Sequence, residues 1–358
     1  MKDYFYKINE LISQHIKSNE HYSIWFSAEN TNFARFSKAK IRQIGNVEQG
    51  YLDVQLIKND SIHACSSIGL SKDLHKDKDA ILLCLEKLRT AIKSSCSDPY
   101  FLMNNSDEQT SDIYKSQFDN NQIINDVLEI SQGVDLVGYY CGGTIYKAYA
   151  SSYGQINWYE KPSFFIDTSV YHSSDKAIKQ LYADNIYQKK CYLEKINQAK
   201  VALETFSKPT INLSPKKYTV YFSPNAVYEL LSLLNWGGFS YKSLQVKNSP
   251  LVPLMQKEKS LHSSFSLSEN MSYAIGPNFQ KQGFIKPNSI DLIKNGQFVN
   301  GMTSPKTAKE YGINHNSADE DESFVSLSME PGSLDTKDRK STRLNSSHTD
   351  ISRMPSSA

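Results

Sequence analysis

Alternating strand blocks and amphipathic helices constrain the fold of this chain more than any other feature. Leu52, Val54 and Leu56 alternate with polar neighbours, which is the period-two pattern of a half-buried strand. Helices are predicted on either side of this block, over residues 3–17 and 78–95, because their apolar residues recur every three or four positions. A second block of strands followed by a long helix repeats the order. The sequence therefore predicts an α+β chain that begins with two sheet-and-helix units.

The C-terminal part of the chain differs in composition. Beyond the polar segment 208–218 the sequence is rich in Ser, Gly, Asn and Pro with short strand-like runs, which favours a β-rich domain. The predicted domains are an N-terminal α+β unit over 1–100, a second α+β unit over 101–207, a β-rich C-terminal domain over 208–338, and a tail over 339–358.

One helix is predicted inside the C-terminal domain. Ser223 is a suitable N-cap, and Pro224 suits the first helical turn. An apolar run follows and ends at Gly237-Gly238, where glycine favours termination.

The tail RKSTRLNSSHTDISRMPSSA resembles a translated adapter or vector sequence. It is rich in serine and has no apolar period, so we expect it to be disordered. It also carries four basic residues and one acid, and without it the formal charge of the chain falls from +2 to −1. The sequence pI of about 8.1 therefore gives no argument for nucleic acid or membrane partners.

Cellular location and redox chemistry follow from the same sequence. No stretch reaches the length of a membrane span, and the charged, amphipathic start does not resemble a signal peptide. We therefore expect a cytoplasmic protein. The five cysteines are odd in number, widely spaced and without a CxxC pair, so reduced thiols are expected rather than a disulfide framework.

Local catalytic motifs are missing from the sequence. It contains no nucleotide-binding glycine fingerprint and no GxSxG nucleophile elbow. The eight histidines include no pair at i,i+4, so no HExxH zinc motif is present. The acidic segment 317–324 could bind a divalent cation, but it lacks the ligand alternation of a calcium loop, and we expect a solvated loop there.

Four segments together resemble the TldD/PmbA family in order and spacing. The first contains Glu29, Arg35-Phe36, Ile41 and Gln43 in the arrangement of the family's N-terminal signature. The others are LSPKKYTVYFSPNAVYELL (213–231), the long block over 282–312, and SLSMEPGSLD (326–335), where Ser333 replaces the usual Asp.

The resemblance implies which kind of subunit this is. Zinc-bearing members carry HExxxH on the helix after the SP segment, with a cysteine far downstream. By that alignment Tyr228 and Leu233 occupy the histidine positions, Glu229 is a relic of the general base, and no cysteine follows Cys191. The chain therefore resembles the PmbA/TldE kind, and no catalytic, metal-binding or cofactor-binding residue is expected in it.

The function implied is that of a non-catalytic subunit. It would pair with a TldD-type subunit that holds zinc, in a hetero-oligomer acting on unfolded or extended peptides. Two alternatives stay open, a free-standing peptide-binding or regulatory module and a metallopeptidase with an unorthodox site. Family members continue beyond the PGD segment, so the C-terminal domain is expected to be truncated here.

Overall fold

The computed structural model describes residues 1–172, 176–206, 208–209, 211–218 and 220–331. Seven strands of the first half form one sheet with the order β3-β2-β1-β5-β6-β4, and β7 also pairs with β6. All neighbouring strands are antiparallel except β4 and β6, which are parallel. The strands are β1 (Glu20–Ser37), β2 (Lys40–Lys58), β3 (Ile62–Gly69), β4 (Gln109–Ile113), β5 (Asp135–Ser151), β6 (Ile156–Tyr171) and β7 (Ala177–Asp184).

The two predicted N-terminal units share this sheet. Strand β1 pairs with β2 along one edge and with β5 along the other, from Ser23 opposite Ser151 to Ser37 opposite Val137. The two units are therefore joined by the continuous hydrogen-bond ladder between β1 and β5. The expected α+β fold is confirmed.

Four helices cover one face of the sheet in two pairs. Ile24 and Phe26 of β1 pack against the first pair, whereas Ala34 and Phe36 pack against the second. All four residues are at even positions of a single strand, so both pairs lie on the same face. The helices are α1 (Lys2–Ser13) and α2 (Leu74–Ile92) in the first pair, and α3 (Asn120–Ile130) and α4 (Lys189–Phe206) in the second.

Helix α1 forms because its apolar residues fall on one stripe. Phe5, Ile8 and Ile12 have no exposed surface, and each buried side chain of this size contributes about 1.5–3 kcal/mol. Helix α2 begins earlier than the predicted residue 78, because the Asp73 carboxylate caps it by accepting from the main-chain N–H of His75 at 3.0 Å.

The C-terminal region combines a small antiparallel sheet, with the order β10-β9-β8-β11, and several short helices. The predicted β-rich domain therefore contains more helical turns than its composition indicated. Its core is formed by buried residues such as Phe239, Leu292 and Met302. The elements are α5 (Pro224–Ser232), a 3₁₀ turn (Leu233–Asn235), α6 (Tyr241–Gln245), α7 (Val252–Met255), β8 (Leu267–Asn270), a second 3₁₀ turn (Met271–Tyr273), β9 (Ser289–Lys294), β10 (Gln297–Phe298), α8 (Pro305–Tyr311) and β11 (Leu327–Met329).

The segment 274–286 docks the C-terminal region on the sheet face that carries no helices. Phe279 is buried there against Tyr149, and the Gln155 side chain donates to the carbonyl of Gly283 at 2.7 Å. Gly283 has a φ of +84°, and a Cβ at this position would lie 2.4 Å from the Tyr149 ring. Only glycine satisfies both the backbone conformation and this close approach.

No helix in the described ranges is long and apolar enough to cross a membrane. The predicted tail over 339–358 lies outside the described residues.

Candidate functional site

Helix α5 carries the residues that the family resemblance singles out. The hydroxyl of Ser223 accepts from the main-chain N–H of Ala226 at 3.3 Å, and Pro224 lies in the first turn, as the sequence predicts. The helix is shorter than predicted, because it tightens into the 3₁₀ turn at Leu233 before Gly237 takes a φ of +85°.

The three singled-out side chains all face solvent. Tyr228 is 61% exposed and Leu233 is 67% exposed, and Glu229 is exposed as well. Glu229 therefore lies in solvent and not in an enclosed pocket. The structure therefore places these residues on an accessible surface and not in a closed cavity.

Large apolar side chains cluster in sequence around this helix, and we call Tyr228, Leu233 and Trp236 the α5 apolar surface. Trp236 is 91% exposed, which is unusual for an indole ring. The inward side of the same segment packs through Leu231 and Leu234 against the C-terminal core. Further exposed apolar residues precede the helix at Ile211, Leu213, Val220 and Tyr221.

The acidic segment 317–324 is not the solvated loop that the sequence predicts. Glu322 is only 2% exposed. Its carboxylate accepts from the Ser240 hydroxyl at 2.6 Å and from the main-chain N–H groups of Lys242 at 3.1 Å and Ser304 at 2.8 Å. Glu322 therefore joins the N-terminal ends of α6 and α8, and its role is structural. Two of the partners lie 80 and 82 positions away in sequence, so no local pattern marks it.

A second acid of this segment is also paired. Asp319 accepts from the ammonium group of Lys286 at 2.7 Å, and only 7% of the Lys286 side chain is exposed. Within the described ranges, no group of three or more His, Cys, Asp or Glu residues is arranged to hold a metal ion.

Two of the histidines pack against aromatic rings. His63 stacks on Phe101, and its ring nitrogen is 3.8 Å from the Asp98 carboxylate. His315 packs edge-on against Phe284, and burial lowers the pKa of its imidazole.

Comparisons with known proteins identify the family of the C-terminal region. Residues 215–341 match the family model of the PmbA/TldA metallopeptidase C-terminal domain. This region of the chain carries a TldD/PmbA family domain.

Solved structures share the fold of this chain over nearly its whole length. A candidate modulator of a DNA gyrase from Thermotoga maritima has a TM-score of 0.69 at 11% identity, covering 94% of this chain and 79% of its own. A candidate modulator of DNA gyrase from Bacteroides thetaiotaomicron has a TM-score of 0.67 at 13% identity, with 92% and 77% covered. TldE from Thermococcus kodakarensis has a TM-score of 0.65 at 12% identity, with 92% and 79% covered. A search of the curated proteins finds no match.

The family resemblance places Tyr228 and Leu233 at the positions of the zinc-binding histidines of catalytic members. A catalytic zinc site needs three protein ligands, usually imidazole, carboxylate or thiolate. Tyr228 offers a neutral phenol and Leu233 offers no donor atom, and the sequence contains no cysteine after Cys191. The residues present therefore do not fit a zinc ion at this position.

Proposed function

We propose that this chain is a non-catalytic subunit of the TldE/PmbA kind, in a cytoplasmic assembly with a TldD-type zinc metallopeptidase subunit. The observation that carries this proposal is the donor set of α5, where Tyr228 and Leu233 stand in place of two imidazoles. The attack of a zinc-activated water on a peptide amide would then take place in the partner.

The α5 apolar surface supports assembly with a partner. Soluble proteins rarely leave a fully exposed indole beside other large apolar side chains unless another surface covers it. Trp236 and Leu233 are 91% and 67% exposed, and both follow directly on the helix that holds zinc in the catalytic subunits. We infer that the TldD-type subunit covers this surface.

An open strand edge supports a role in handling extended peptides. Strand β3 pairs with β2 only along Tyr51–Lys58, and among the described residues no strand covers the outer edge of β2 from Lys40 to Gln49. Ile44 and Val47 on this edge are 59% and 37% exposed. A free edge binds extended chains through main-chain groups, whatever their sequence.

The first experiment separates the subunit role from an active site in this chain. The full chain is purified alone and together with the HExxxH-bearing family member of the same genome. Zinc is measured by elemental analysis, and hydrolysis is measured with fluorescently labelled casein. We expect almost no zinc and no activity in the chain alone, and about one zinc per complex with activity. One tightly held zinc in the chain alone would favour the metallopeptidase alternative.

A second experiment tests the partner surface. Trp236→Glu places a charge on the α5 apolar surface and is expected to prevent co-purification of the two subunits. Val246→Glu is the matched control, because Val246 is 61% exposed in the same region but lies outside that surface. If neither subunit retains the other even in the unmodified form, the free-standing binding module becomes the better description.

A further inference from the structure

A groove crosses the helix-bearing face of the sheet between the two helix pairs. Along β1 the residues facing the helices change from Phe26 to Asn30 and Asn32, and then back to Ala34. The register places Asn30 opposite Thr144 of β5, and Thr144 opposite Pro162 of β6. A cavity of about 250 Å³ lies over this polar row. Its lining includes Asn30, Asn32, Ser116, Phe118, Asn120 and Thr144.

The amide groups in the groove are held in a fixed orientation. The Asn46 side chain donates from Nδ2 to Oδ1 of Asn30 at 2.9 Å and to Oδ1 of Asn32 at 3.4 Å. Because both acceptor oxygens are turned toward Asn46, the Nδ2 groups are the donors that Asn30 and Asn32 can offer to a ligand.

The floor of the groove is bare backbone. A Cβ on Gly142 would lie 2.0 Å from the Tyr140 hydroxyl, and a Cβ on Gly143 would lie 2.0 Å from the carbonyl oxygen of Asn30. The Tyr140 hydroxyl donates to Oδ1 of Asn120 at 2.5 Å, which fixes the amide on the opposite wall. Glycine at position 142 therefore leaves room for these polar groups, and glycine at position 143 allows β5 to lie close to the backbone of β1.

The lining selects an uncharged ligand rich in amide groups. None of the described residues around this cavity is charged, so an ionic ligand would lose water without gaining a counter-charge. Side-chain amides and hydroxyls donate and accept in the pattern that a peptide group requires. We propose that the groove binds extended polypeptide through its main-chain amides, which deepens the proposed function and rests on it for the class of ligand.

The dimensions of the groove set the length of the bound segment. Its lining crosses three strands from Asn30 on β1 to Pro162 on β6, which is about 10 Å at the usual spacing between strands. An extended chain covers this distance with about three residues. The bound segment runs across the strands, so it is distinct from a peptide that adds to the free edge of β2.

The test uses the full chain and a fluorescein-labelled, end-blocked Ser-Ala-Ser-Ala-Ser-Ala peptide in a fluorescence anisotropy titration. The isosteric double variant Asn30→Leu/Asn32→Leu removes both free donors and is expected to weaken binding about tenfold or more. Asn125→Leu is the matched control, because Asn125 is exposed on α3 away from the groove, and it should bind like the unmodified chain. Thr144→Phe fills the groove and should abolish binding, and circular dichroism with a melting curve establishes that each variant is folded.

Two further comparisons make the assignment specific. A peptide N-methylated at every amide lacks the donors of a normal main chain and should not bind. Ile44→Pro removes an outward N–H from the free edge of β2 opposite Ala34, which does not line the cavity, and should leave binding unchanged. The N–H of Ile44 points outward because Gly50, an even number of residues on, directs its carbonyl outward to Leu70.

Three results would overturn the groove assignment. These are no binding of the peptide at 1 mM, equal binding by the Asn30→Leu/Asn32→Leu variant, and loss of binding in Ile44→Pro alone, which would place the peptide on the strand edge. If the subunits still co-purify with zinc and activity in any of these cases, the groove assignment fails and the proposed function stands.

Discussion

Replacing Glu322 by glutamine tests whether one buried carboxylate holds the N-terminal ends of α6 and α8 together. Glutamine keeps the shape of the side chain but turns an amide NH₂ toward one of the donors on Ser240, Lys242 or Ser304. A hydrogen bond to a charged group contributes about 1.5–3 kcal/mol, so we expect a local loss of about 2–3 kcal/mol. That loss makes opening of this region about 30 to 150 times more frequent.

Hydrogen–deuterium exchange read by mass spectrometry measures this effect locally. Faster exchange is expected in peptides covering 239–245 and 303–309, with little change in the N-terminal sheet. Glu320→Gln is the control, because it makes the same chemical change at an exposed position of the same segment. Equal protection in the two variants would refute the reasoning, as would a uniform loss of protection over the whole chain.

Three other predictions address docking, pH and catalysis. Gly283→Ala forces a side chain against the Tyr149 ring at a positive φ, and we expect urea unfolding to report a loss of about 1–3 kcal/mol. The Lys306 ammonium group, 2.6 Å from Asp98, holds the pKa of that carboxyl below its usual range. The stabilisation is complete above the unfolded-state pKa of about 3.9 and is lost as the pH falls through the lower folded-state pKa, so Lys306→Met should flatten the acid side of a plot of Tm against pH. Glu229→Gln should leave the casein hydrolysis of the assembly within a few-fold, whereas a drop of about 10²–10⁴-fold would place a general base in this chain.

Local chemistry made several elements predictable from the sequence. The alternation around Val54 reports a strand because neighbouring side chains on a strand point to opposite faces. Ser223 followed by Pro224 marks the start of a helix. The serine hydroxyl caps a free main-chain N–H of the first turn, and the proline fits that turn without needing an N–H. Such signals depend on residues a few positions apart, so a single sequence contains them in full.

Features that depend on distant partners could not be predicted in this way. The acids of segment 317–324 look solvated in sequence, because nothing nearby shows that the N-terminal ends of two helices will meet Glu322. Asn30 and Asn32 look like ordinary polar positions in the sequence until the register brings them opposite Thr144 and Gly142. The resemblance to the family located Tyr228 and Leu233, but only the structure gives their exposure to solvent.

The pairing of β1 with β5 has a consequence for synthesis of the protein. More than a hundred residues separate the end of β1 at Ser37 from the end of β5 at Ser151. At the usual rates of translation the ribosome needs on the order of ten seconds to make that stretch. During that interval one edge of β1 is without its partner and can pair with strands of other nascent chains. The yield of folded protein should therefore rise when translation initiates less often or when a chaperone that binds nascent chains is abundant.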